Sequence, residues 1–276
     1  MSQTDTGSSF DVRDYVDGIG AVLAGPANVV MQLSWPEVGY GVLESRVESG
    51  RITDHPFKRT RTTLTYLAVA ILGTDSDREA YRKAVNTAHV QVRSTDDSPV
   101  AYNAFDPDLQ LWVAACLYYG LRDLVTAFHG PPPSAVADEL YAHAARLGTT
   151  LQVPAERWPA DRAAFDEYWE ASLARVDMPD PVAAYLRDLL DSRQFPWFVR
   201  LPSRRLVRFV NVGFLPEQFR EQLGLEWTPA QERRFRRMVR MLGAVQGKLP
   251  RVARNFPFNL YLWDMRRRVR LGRPLV

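Results

Sequence analysis

The stretch "PFKRTRTTLTYLAVAILG", Pro56–Gly73, decides the fold class. Proline at a first helical position and glycine just after a last one bracket a helix from Pro56 through Leu72. The same punctuation recurs along the chain. Asp75 or Ser76 is expected to cap the next helix, running to about Val92. Asp106 caps a long helix that Pro107 opens and Gly130 stops, and Ser134 caps the next. An amphipathic helix is expected from Phe10 to Leu23. Two short ones should follow, broken near Ser34-Trp35-Pro36. Further helices are expected in "PADRAAFDEYWEASLARV", "DPVAAYLRDLLDS", "LPEQFREQLGL", "TPAQERRFRRMVRMLGAV" and "NLYLWDMRRRVRLG". Alternating β-branched runs joined by Asn-Gly or Asp-Gly turns do not occur. The expectation is an all-α protein with a disordered tail at 1–9 and one compact multi-helix domain at 10–276.

The bulk numbers agree with a folded domain. The chain has 276 residues, 46% of them hydrophobic and 24% charged, which suits a sizeable core. Seven tryptophans mark an aromatic-rich interior, either self-packed or built around a flat aromatic group. The net charge of +3 creates no dominant field. A single cysteine, Cys116, excludes an internal disulfide and any cysteine-built metal site, and its place in "LWVAACLYYG" is that of an inert buried residue. The first fifteen residues lack a signal peptide's basic and apolar regions. The longest apolar runs are about ten residues, half of a bilayer span. A cytoplasmic location, no transmembrane segment and at most peripheral membrane contact are expected.

Few residues offer chemistry. Arg59 and Thr63 stand four apart, on one face of their helix with Leu67 a turn further. Arg59 is either a solvated first-turn residue, a partner of Asp54, or a buried cation that needs an anion. His89, in "VNTAHVQVRS", shares a helical face with Val85 and Val92. It is either a core or surface histidine or a neutral imidazole with a nitrogen free for a metal. Phosphate-binding glycine loops, a hydrolase elbow and paired zinc-binding histidines are absent. The basic stretches "RRFRRMVRM" and "RRRVRLGR" read as a solvated helix face or as a surface for nucleic acid or anionic membrane.

The order of "HPFKRTRTTLTYL", "AHVQVRS", "AYNAFDPDLQLWVAACL", "AFHGPP" and "LGTTLQVPAERWPADRAAFDEYW" resembles the family that includes the latex-clearing rubber oxygenases and the MpaB-type fungal oxygenase of mycophenolic acid biosynthesis. The similarity runs from about Gly25 to Leu225. It implies a globin-like all-α core with one b-type haem, His89 as the axial iron ligand, and Arg59 and Thr63 beside the haem as catalytic and cofactor-binding residues. Arg93 would be a further cofactor-binding residue. It implies an oxygenase that takes dioxygen and a hydrophobic, isoprenoid-like substrate, adding both oxygen atoms across a C=C bond to give two carbonyls. No nucleic-acid partner is implied. Two departures mark this chain: Thr62 stands where rubber oxygenases carry a lysine, and the nearest candidate for their catalytic glutamate is Glu44. Many relatives also have a histidine where this chain has Ala114. The alternatives are a binding protein of the same fold without turnover, or a helical scaffold or nucleic-acid module using the basic C-terminal third.

Overall fold

The computed structural model describes residues 10–45, 47, 55–193 and 197–276, without the side chains of 197 and 199–203. The expected tail at 1–9, and Asp54 as a partner for Arg59, lie outside the described residues.

Helices account for all the regular structure among the described residues apart from one isolated bridge, between Arg93 and Asn103. They are α1 Gly18–Gln32, α2 Pro36–Leu43, α3 Pro56–Leu72, α4 Asp75–His89, α5 Pro107–His129, α6 Ser134–Ala144 and α7 Arg146–Thr149. There follow α8 Arg162–Leu173, α9 Asp180–Leu190, α10 Trp197–Gly213, α11 Glu217–Gln222, α12 Pro229–Gln246, α13 Arg251–Arg254 and α14 Phe258–Arg270. They form one compact domain.

The centre is α5. Trp112, Ala114, Ala115 and Cys116 are essentially inaccessible, and α1, α7 and α12 pack around the helix. Close helix approach needs small residues at the crossings. At Gly243 of α12 an added Cβ would sit 2.6 Å from the backbone of Phe128, so only glycine lets α12 settle on α5. On the other side Asn28 of α1 donates its side-chain amide to the Cys116 carbonyl at 2.7 Å. By length and composition α5 is long and apolar enough to cross a membrane. It carries Arg122 and Asp123, and its packing on three helices explains its apolar character.

Three of the tryptophans pack on one another. Trp35 stacks on Trp112 at 4.7 Å, Trp112 on Trp169 at 5.3 Å, and Tyr119 on Trp169 at 4.2 Å. The Arg175 guanidinium covers the Trp35 ring at 3.6 Å, a cation–π contact. These rings therefore serve the core.

The N-terminal expectation is corrected. In place of a helix from Phe10 to Leu23, a 3-10 turn spans Val12–Asp14 and α1 starts at Gly18. Asp11 caps the turn by accepting from the Arg13 amide. Asp17 is buried and bonded to His129 Nε2 at 2.5 Å, which ties the start of α1 to the end of α5. Ser134 is the first residue of α6 rather than its cap, a place taken by Pro133.

Candidate functional site

A hairpin of α3 and α4 builds the site. Only Gly73 and Thr74 separate the two helices. Thr74 and Asp77 form a capping box that starts α4. The Tyr81 hydroxyl donates to the Thr62 carbonyl at 2.7 Å, and Tyr66 donates to the Leu147 carbonyl of α7. Burial pushes both phenols well above their ordinary range, so both stay protonated donors. These bonds fix α4 against α3 and α3 against α7.

Between these helices, α2, α5 and the 102–104 segment lies a cavity of about 250 Å³. Arg59, Thr62 and Thr63 line it from α3 and His89 from α4, with Val38, Val42, Leu67, Val85, Val92 and Val113 among the apolar lining. The sequence-predicted Arg59, Thr63 and His89 thus share one cavity, together with Val85, Val92 and Leu67. Arg93 is placed elsewhere: it is exposed, and its backbone bridges to Asn103, outside the cavity lining.

His89 is the last residue of α4. Its Nδ1 is buried with no hydrogen-bond partner, and the ring meets Phe105 edge-on at 6.2 Å. Burial first, and then the charge of Arg59, pushes the imidazole down to about 4. At neutral pH it is a neutral ring, the form that ligates a metal. The sign of this shift sets a pH dependence. The unfolded imidazole takes up a proton below its usual 6.5, the folded one only below about 4. The stability from keeping His89 neutral is complete above pH 6.5 and is lost as pH falls from 6.5 toward 4, by at most roughly 3 kcal/mol. Denaturant titrations of the cofactor-free protein at pH 7.5 and 4.5 should show a smaller loss in His89→Phe; an identical loss would contradict the assignment.

Arg59 is half-buried, and burial lowers its guanidinium from the ordinary value. The phenols of Tyr185 and Tyr81 are the titratable groups that act on it, and no carboxylate lies within 4.0 Å among the described residues. A cation on a cavity wall without a protein anion is suited to an anionic group on a ligand. Thr62 donates back to the Arg59 carbonyl at 3.0 Å, so its hydroxyl is used within the helix.

Sequence reasoning missed an amide chain behind the histidine. Gln152 donates to Asn86 Oδ1 at 2.6 Å, Gln110 donates to Gln152 Oε1 at 2.6 Å, and the Gln152 amide donates to Gln110 Oε1 at 2.9 Å. It ties the last turn of α4 to α5. Glu44 accepts from Ser98 at 2.7 Å and from Tyr102 at 2.8 Å. Tyr102 lines the cavity while Glu44 is not part of the lining. Among the described residues no three of His, Cys, Asp and Glu converge on a metal site. An iron here would therefore need most of its ligands from an organic group.

The arrangement is an all-α catalytic domain with a single-histidine cavity, and the chain belongs to the family described as ER-bound oxygenase mpaB/B'/rubber oxygenase, catalytic domain, whose model matches residues 12–244. Membership makes it an oxygenase-type domain. Two uncharacterized relatives, Mb2261 of Mycobacterium bovis and Rv2237 of Mycobacterium tuberculosis, are each 53% identical over 250 residues, covering 91% of this chain and 98% of the relative. No solved structure is similar to it.

Proposed function

We propose that the protein is a haem b-dependent oxygenase acting on a hydrophobic, isoprenoid-like substrate, in which the α2–α5 cavity would hold the haem, His89 would bind its iron and the surrounding helices would form a globin-like core. The observation that carries this reading is His89. It is a neutral imidazole on a cavity wall, its Nδ1 left without a partner, in a cavity that Arg59 also lines with no carboxylate within 4.0 Å of it among the described residues. The donor set fits a haem iron, which needs one protein ligand, and not a protein-only metal centre.

When bound, the haem supplies the dioxygen chemistry. The chain supplies the rest. Arg59 binds an anionic edge such as a propionate, and Thr63 offers a hydroxyl to a polar group in the cavity. The valine and leucine walls exclude water and accept an apolar chain. At about 250 Å³ the cavity is smaller than the ~300–1,000 Å³ of cofactor and ligand sites, so its lining side chains would have to move apart to seat a macrocycle.

The test is dioxygen consumption by haemin-loaded protein, with reductant, over a panel of unsaturated terpenoids. Wild type should consume dioxygen with at least one of them, and Arg59→Leu should lower the rate at least about 10-fold through lost cofactor or substrate placement. Equal rates in the two proteins would remove Arg59 from the site. The second reading, a haem or apolar-ligand binding protein without turnover, is favoured by Glu44, whose carboxylate is held by two hydroxyls outside the cavity lining. It predicts haemin binding with no dioxygen consumption on any terpenoid.

A further inference from the structure

We propose that the surface formed by α12, α13 and α14 docks the protein onto an anionic phospholipid bilayer. Two independent properties of this surface point there. The first is charge. Residues 233–276 contain thirteen arginines and lysines and one acidic residue, Asp264, in a chain whose net charge is only +3. Arg236, Arg251, Arg254, Arg266 and Arg268 are paired with carboxylates. Arg234 and Arg267 lie over the rings of Phe209 and Trp263. Arg233, Arg237, Arg240, Lys248, Arg270 and Arg273 are exposed, with no carboxylate within 4.0 Å among the described residues. Cations left unpaired beside one another repel unless an anionic surface faces them.

The second property is apolar exposure. Among the described residues, nine of the fifteen exposed large hydrophobic side chains lie between Met241 and Leu271. Met241 is 64% exposed and Val245 62%, on one face of α12. Val252 of α13 is 73% exposed and Trp263 of α14 53%. They follow one another along one continuous stretch of chain. Pro250 leads directly from the end of α12 into α13, and Asn259 of α14 donates to the Val252 carbonyl at 2.9 Å. Phe256, also exposed, is carried by the link between α13 and α14, whose backbone presses on Gly18 of α1.

Cations interleaved with exposed aromatic and aliphatic side chains are the pattern of a surface that lies in a bilayer interface. Trp263, with Arg267 over its ring, pairs an amphipathic aromatic suited to the headgroup level with a cation. A nucleic acid would satisfy the arginines but leave Met241, Val245, Val252 and Phe256 in water, so the membrane is favoured. The same segment runs on to Val276, which lines the cavity.

Flotation of the purified full chain with phosphatidylcholine vesicles, and with vesicles of equal parts phosphatidylcholine and phosphatidylglycerol, tests the proposal. Binding should require phosphatidylglycerol, weaken with salt, and bring Trp263 within quenching range of brominated lipid, a signal lost in Trp263→Phe. The triple variant R233E/R237E/R240E alters exposed groups that have no carboxylate within 4.0 Å among the described residues. It should keep wild-type circular dichroism and bind about 100-fold more weakly. Val252→Asn, which keeps the charge, should also weaken binding. No binding by wild type, undiminished binding by the triple variant, or salt-sensitive binding to duplex DNA in place of vesicles would overturn the proposal. These readouts need no haem, so they fail or succeed separately from the reading of the cavity.

Discussion

His89→Ala is expected to weaken haemin binding by more than about 100-fold while leaving the helical circular dichroism unchanged. Removing a group that only supports a metal ligand costs roughly 10–100-fold, and removing the ligand itself costs more. The fold should survive because His89 ends α4 on a cavity wall, and the capping box at the other end of the helix is untouched. Added imidazole should restore part of the binding, since the truncated side chain leaves room for it. A structural histidine would show no such rescue. Full haem occupancy in His89→Ala would remove the residue from the site.

The largest stability effect is expected at Trp112→Ala, a loss of about 3–5 kcal/mol from a total of roughly 5–15 kcal/mol. Trp112 has no exposed surface, stacks between Trp35 and Trp169, and donates its indole N–H to the Gln32 carbonyl at 3.1 Å. Truncation leaves a void at the centre of α5 and an unpartnered carbonyl in a residue that lines the cavity. Chemical denaturation should show the midpoint falling sharply with little change in slope. A change below about 1 kcal/mol would mean that the tryptophan stack is not the core of the fold.

Helix boundaries were legible where punctuation is chemical. Pro56–Leu72 and Pro107–His129 start and stop where proline, aspartate and glycine place them, because a missing N–H at the prolines, the Asp106 side-chain acceptor and the positive φ of Gly130 act within a few residues. The start of α1 was not legible. It depends on Asp17 meeting His129, 112 residues away, and local pattern carries no trace of that pairing. The sole cysteine is buried in α5, as its apolar neighbours indicated.

The site divides the same way. Arg59, Thr63 and Leu67 fall on one wall because a helix repeats every three to four residues, and Val85, His89 and Val92 share the same cavity. What joins the two walls was hidden. Tyr81 reaches back 19 residues to Thr62, and Gln152 reaches 42 residues to Gln110 and 66 to Asn86. Tyrosine and glutamine in apolar helices read as filler until their partners are known. Arg93 is one turn from His89 in sequence but stands outside the cavity lining, because α4 ends at His89 and the chain turns into the bridge with Asn103.

The central claim is that the α3–α4 cavity holds a haem through His89. The most direct test is a visible absorption titration of the wild-type protein with haemin, before and after dithionite. The account predicts a saturable Soret band reaching one haem per chain, shifting on reduction as an imidazole-ligated iron does. A folded protein that takes up no haemin and develops no Soret band would contradict it.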